Sequence, residues 1–244
     1  MKVWVFAIAS IFLISNALSQ DYERERRWAA EVVPNLVVGD AVPLKLPSGR
    51  EFLGLFAEKK RASTAIVLVH GLGVHPDHGV VGSLRSLLAD LGYTTLSIQM
   101  PVQRAEAAAD AYPALFPEAA ARIEAAADWL AAKGYPRRVL LSHSMGSRMA
   151  DAYFARGRAS PFLAWVSLGM LGDFTSKSGI RLLDVYGEND FTQVLDAIAR
   201  RRTRQLRIAG ADHYYLGREA ELANAIAAFL DGPTSSANLE KRRL

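Results

Sequence analysis

The chain has 244 residues, half of them hydrophobic, with a formal net charge of +4 and no excess of Gly or Pro. That is enough for one domain with a buried core, too little for two large ones, and it excludes disorder over most of the length. There is no cysteine, which excludes disulfides, thiolate catalysis and Cys-type zinc sites.

Residues 1–19 read as a secretory signal peptide. Lys2 supplies a short positive region, residues 3–18 carry no charge, and Ala17-Leu18-Ser19 places small residues where a signal peptidase cuts. The rival reading is an uncleaved anchor, but a bilayer-spanning helix needs about 20 apolar residues, and the charged stretch Asp21-Tyr22-Glu23-Arg24-Glu25-Arg26-Arg27 follows at once. Cleavage before Gln20 is expected, which leaves no membrane span in a protein exported to the periplasm or the medium of a bacterium.

Residues 20–41 form a helical extension, with a short helix expected over 22–33. Residues 42–46 and 51–57 flank Pro47-Ser48-Gly49 as strand, turn and strand. From residue 65 the texture changes. Short apolar runs at 65–69, 94–99, 138–141, 162–168, 182–186 and 204–208 are continuous rather than alternating, as strands buried on both faces of a parallel sheet require.

Helical stretches fall between the runs, at 82–91, 117–132, 144–156, 192–200 and 217–230. In the second of these Ala119, Ile123, Ala126 and Leu130 repeat at helical spacing, and Gly134 and Pro136 then stop it. Alternating strands and helices predict a single-domain three-layer α/β sandwich over 42–231 with a mostly parallel sheet. The N-terminal hairpin would be its antiparallel edge. Only residues 170–180 separate two of the strands, so no large lid is expected. Residues 232–244 are a Ser- and charge-rich tail.

Ser142-His143-Ser144-Met145-Gly146 lies between a strand and a helix, the setting of a nucleophile elbow. The sharp turn demands small residues two before and two after the serine; here the position before is Ser142 instead of the usual glycine. A serine hydroxyl is a poor nucleophile at neutral pH and needs a base, and the base needs an acid to fix its tautomer.

His213, in Gly210-Ala211-Asp212-His213-Tyr214, follows the last strand and is the candidate base. Asp190, in Gly187-Glu188-Asn189-Asp190, follows the preceding strand and is the candidate acid; Asp173 also follows a strand, Asp184 sits inside one and Asp212 adjoins the base. These loops open at the carboxyl ends of strands, where open α/β sheets place their sites. The turn His70-Gly71-Leu72-Gly73 offers the backbone amide of Leu72, which with the amide of Met145 would form an oxyanion hole.

Through His70-Gly71-Leu72-Gly73, Ser142-His143-Ser144-Met145-Gly146, Gly187-Glu188-Asn189-Asp190 and Gly210-Ala211-Asp212-His213, the chain from about residue 64 to 230 resembles the α/β-hydrolase superfamily. More narrowly, it resembles a group of exported bacterial α/β-hydrolase-like proteins of unassigned function. That likeness rests on His75-Pro76-Asp77, Ser97-Ile98-Gln99-Met100-Pro101 and Tyr112-Pro113-Ala114-Leu115-Phe116-Pro117-Glu118. The resemblance implies the fold and the triad Ser144, Asp190 and His213; it implies no substrate.

The expected activity is hydrolysis of a carboxylic ester on a small or lipid-like acyl substrate, without a cofactor. A thioester, amide or acyl-transfer variant is one alternative, and an envelope binding or assembly protein that keeps the fold without turnover is another. His70 and His143 are expected to brace their loops. His75 and Tyr214 are candidates for the substrate-binding rim, and Tyr215 either walls the same pocket or packs. His75, Asp77 and His78 lack a further clustered ligand, so no metal is assigned. The basic cluster Arg200-Arg201-Arg202-Thr203-Arg204 reads as a solvated helix end and loop, with no nucleic-acid motif beside it.

Overall fold

The computed structural model describes residues 20–232. The expected signal segment, 1–19, and all but the first residue of the expected tail lie outside the described residues.

Eight strands form one sheet: β1 (Asp40–Lys45), β2 (Glu51–Ala57), β3 (Thr64–Val69), β4 (Thr94–Ile98), β5 (Arg137–His143), β6 (Ala164–Leu168), β7 (Arg181–Asn189) and β8 (Gln205–Asp212). Their order across the sheet is β1-β2-β4-β3-β5-β6-β7-β8. β1 and β2 pair antiparallel, β2 meets β4 antiparallel, and all other pairs are parallel. This is the α/β sandwich with an antiparallel N-terminal edge that the apolar runs predict. β1 starts two residues before the expected boundary at 42, because Asp40 and Ala41 extend the ladder to Phe56 and Leu55.

The continuous hydrophobicity of the central strands has a direct cause. In β3, Ala65, Val67 and Val69 enter one core, while Ile66 and Leu68 enter the other. The first core is closed by α3 (Phe116–Ala132) and α4 (Met145–Phe154), through residues such as Ile123, Ala126 and Met149. The second is closed by α2 (Gly79–Asp90) and α6 (Glu219–Asp231), through Leu84, Leu88, Leu222 and Ile226. α5 is Thr192–Arg200, and α1, Tyr22–Val32, lies in the N-terminal extension. No helix among the described residues is long and apolar enough to cross a membrane.

One local expectation holds closely and another is corrected. α3 starts at Phe116, one residue before the expected 117, after an irregular stretch and the 3₁₀ turns of Ala109–Leu115 that hold Pro113. Proline removes a donor and clashes with the preceding turn, which favours such short tight turns over continuous α-helix. The basic cluster is not wholly solvated. Arg201 is buried, with both Asp184 carboxylate oxygens 3.0 Å from Nη1, and it also donates to the carbonyls of Met170 and Gly172. An internal aspartate on β7 needs a cation, and the end of α5 supplies it.

Candidate active site

β5 runs directly into α4 through Ser144, whose backbone takes φ 55° and ψ −119°. A positive φ is costly for a residue with a side chain, and such conformations persist only where the surroundings enforce them. Here the Ser144 N–H donates to the Leu168 carbonyl at the end of β6, 2.8 Å away. On the other side of the turn, a Cβ on Gly146 would lie 2.4 Å from the His70 carbonyl oxygen and 2.8 Å from that of Val69. The chain passes so close to β3 that only glycine fits.

Ser142, the departure from the usual elbow pattern, is fully buried and committed. Trp165 Nε1–H donates to its Oγ at 2.8 Å, and its Oγ lies 2.9 Å from Ser147 Oγ, which in turn faces the Leu168 carbonyl at 3.5 Å. Indole can only donate and a carbonyl can only accept. The hydroxyls therefore point one way, from Trp165 through Ser142 and Ser147 to Leu168.

The three side chains singled out from separate strand ends meet. Ser144 Oγ is 2.9 Å from His213 Nε2, and His213 Nδ1 is 2.7 Å from Asp190 Oδ1. A neutral His213 protonated on Nδ1 donates to the carboxylate and accepts from the serine hydroxyl. The Asp190 carboxylate is itself held, since Oδ1 accepts the Phe191 N–H at 2.8 Å and Oδ2 the Gly187 N–H at 3.2 Å. His213 and Asp190 are buried, whereas Ser144 stays partly open to solvent. The other carboxylates are elsewhere engaged: Asp184 with Arg201, Asp173 with Arg200, and Asp212 with the Tyr214 N–H.

The loop after β3 touches this centre. A Cβ on Gly71 would lie 3.4 Å from Ser144 Cβ and 3.3 Å from His143 Nδ1. Leu72 sits next in the loop, and Met145 opens α4. Among the described residues neither the Leu72 nor the Met145 N–H donates to a backbone acceptor in a turn, loop or cap.

Two buried histidines fix the surrounding loops. His143 Nε2 lies 2.9 Å from the His213 carbonyl and donates to it. His70 Nδ1 donates to the Gly71 carbonyl at 3.0 Å, and its Nε2 accepts the Met100 N–H at 2.9 Å. Burial in a low-dielectric setting disfavours the charged ring. It lowers His70 to about 3 and His143, with help from the neighbouring His213, to about 4.

Of the rim candidates, Tyr214 is exposed and stands edge-on to His213 with ring centroids 5.4 Å apart. The ring contacts of His75 are with Trp28 and His78, while Asp77 is held by Arg85 at 2.7 Å. Tyr215 packs: it is fully buried and its hydroxyl donates to the Val185 carbonyl.

Two residues at the centre were not singled out from the sequence. Phe191 stacks on His213 with centroids 4.1 Å apart at 21°; its place directly after Asp190 was the available signal. Gly169, with φ 54°, lies beneath the imidazole, where a Cβ would be 3.0 Å from His213 Nδ1. A glycine directly after the β6 run carried that information.

This architecture is the α/β-hydrolase fold, in the form without a lid. The solved structures that share it include XC6422 from Xanthomonas campestris, described as an α/β serine hydrolase without lid. It is 16% identical, with a TM-score of 0.63 over 80% of this chain and 94% of that one. The dienelactone hydrolase of Anabaena variabilis is 20% identical, with a TM-score of 0.61 over 78% of this chain and 94% of that one. The Pyrococcus furiosus esterase Pf2001 is 12% identical, with a TM-score of 0.62 over 82% and 94%. No protein-family model and no curated protein sequence matches the chain.

Proposed function

We propose that the protein is a serine hydrolase that cleaves carboxylic esters through an acyl-enzyme. The observation that carries this reading is the continuous relay from Ser144 Oγ through the His213 ring to the Asp190 carboxylate, at 2.9 and 2.7 Å. In this reading Ser144 Oγ attacks the ester carbonyl carbon as its proton passes to His213 Nε2. The resulting oxyanion is received by the Leu72 and Met145 amides, and the positive end of α4 adds to the stabilisation. Collapse expels the alkoxide, which takes the proton from the imidazolium. Water then adds to the acyl-enzyme by the same path and frees Ser144.

Esters are favoured because an alkoxide leaves more readily than an amine. Neighbours in fold described as an esterase and a dienelactone hydrolase are consistent with that class. The apolar exposed side chains of Leu72, Phe191 and Tyr214 beside the relay suit an acyl group. We further propose export with loss of residues 1–19, which N-terminal sequencing of the mature protein checks.

The decisive test is mass-spectrometric mapping of a fluorophosphonate adduct. Stoichiometric attachment at Ser144, abolished in Ser144→Ala, is expected. A folded protein that takes up no reagent would instead mark a binding protein that retains the fold without turnover.

A further inference from the structure

We propose that Arg24, on the helix that precedes the α/β core, is a positioning residue for the oxyanion site: its guanidinium pins the loop that carries the Leu72 amide. The inference rests on the reading of Leu72 as an oxyanion donor.

The loop His70-Gly71-Leu72-Gly73 is buried at His70 but opens to solvent at Leu72. Two of its four residues are glycines, and Leu72 is 41% exposed. Glycine adds backbone freedom that must be removed if a donor is to be ready before the reaction. The structure removes it with two polar anchors. His70 Nδ1 holds the Gly71 carbonyl. That carbonyl belongs to the same planar trans peptide as the Leu72 N–H, so holding one end aims the other in the opposite direction.

Arg24 holds the far end of the loop. Its Nη2 donates to the Gly73 carbonyl and its Nη1 to the Gln103 carbonyl, both at 2.9 Å. One rigid fork thus ties the loop after β3 to the loop after β4. A lysine would offer a single point of contact with no fixed fork. Gly73 has φ 63°, and a Cβ there would approach Tyr112 Oη at 3.2 Å and Arg24 Nη2 at 3.6 Å.

The clamp needs a firm base, and α1 has one. The Asp21 N–H donates to the Val102 carbonyl at 2.7 Å, and Tyr22 Oη donates to Glu118 Oε2 at 2.7 Å. Glu25 pairs with the fully buried Arg122 at 2.9 Å. These contacts also state the competing role: Arg24 could serve only to dock α1. The two roles separate by comparison with Tyr22→Phe, which loosens the same helix at a point that does not touch the loop.

The limiting rate of Ser144 phosphonylation by a fluorophosphonate and its half-saturation are measured on the full chain, alongside melting temperature and amide exchange of residues 70–75. Deleting one oxyanion donor costs on the order of a hundred- to a thousand-fold, so loosening it in Arg24→Ala is expected to lower the limiting rate by about tenfold. Half-saturation should stay within twofold, exchange over 70–75 should rise, and Arg24→Lys should recover part of the rate. Tyr22→Phe should lower the melting temperature and leave the rate unchanged.

A folded Arg24→Ala with the wild-type rate, or one slowed no more than Tyr22→Phe, overturns the proposal. If Arg24→Ala does not fold, Arg24→Lys decides: wild-type rate and wild-type exchange overturn it. Failure of the hydrolase reading looks different. The wild-type protein would then take no label at Ser144 although exchange over 70–75 still rises in Arg24→Ala, and the positioning role would fall with that reading.

Discussion

Replacing Ser142 by the glycine usual in such turns is expected to weaken the protein without harming its chemistry. The hydroxyl is fully buried and receives the Trp165 indole N–H at 2.8 Å while contacting Ser147 at 2.9 Å. Ser142→Ala keeps the Cβ and orphans the indole donor in a closed core, a cost of about 1–3 kcal/mol. Ser142→Gly adds about 0.5–1 kcal/mol for the backbone freedom of a glycine within a strand. With about 2 kcal/mol lost in the alanine variant, a domain of this size should melt roughly 4–8 °C lower, and the glycine variant a few degrees lower still.

Calorimetry gives the melting shift and urea unfolding the free energy, while the limiting rate of Ser144 phosphonylation should remain within about twofold of wild type, because Ser142 hydrogen-bonds to no member of the Ser144–His213–Asp190 relay. Two results would refute the reasoning. A glycine variant as stable as wild type would mean that the Trp165–Ser142–Ser147 chain contributes nothing. A large loss of rate at unchanged stability would mean that Ser142 acts on the chemistry.

The remaining predictions bear on the relay and its supports. Asp190→Asn should fold normally but lose about 10³–10⁴ in turnover, since an amide favours the wrong imidazole tautomer; a variant within tenfold of wild type would count against Asp190 as the acid. Gly169→Ala places a methyl 3.0 Å from His213 Nδ1 at a φ of 54°, so phosphonylation of Ser144 should fall steeply. Arg201→Met strands the Asp184 carboxylate and should cost about 3–5 kcal/mol, much of it recovered when Asp184→Leu is added; urea titrations of both variants read this directly.

Stability should also depend on pH through His70 and His143. Both are lowered well below the usual histidine value, to about 3 and about 4, while the unfolded chain titrates near 6.5. Below about pH 6.5 the unfolded state therefore takes up protons that the folded state refuses, and stability drops as the pH falls toward 4. His143→Gln should flatten that slope in a pH series of urea unfolding curves; an unchanged slope would contradict the assignment.

How much could be read beforehand follows from which interactions are local. Strands buried on both faces leave uninterrupted runs such as Ile66-Val67-Leu68-Val69, so the sheet was plain. So were the loops at its carboxyl edge that hold Ser144, Asp190 and His213, because the order of those loops along the chain is enough to bring them to one edge. Pairings across the fold were not legible. Nothing near Arg201 announces Asp184, which lies 17 residues away and inside a strand. Nothing near Arg24 announces the Gly73 carbonyl, 49 residues on. Such contacts depend on how α1 and the end of α5 dock, and side-chain packing decides that only once the sheet exists.

The brief connection between β6 and β7 has a consequence for selectivity. Enzymes that roof their reactive serine screen candidates by bulk and keep bulk water out. Here the crossing from Leu168 to Arg181 carries no helix or strand, so in the proposed serine-hydrolase reading the shape of the rim sorts what is accepted.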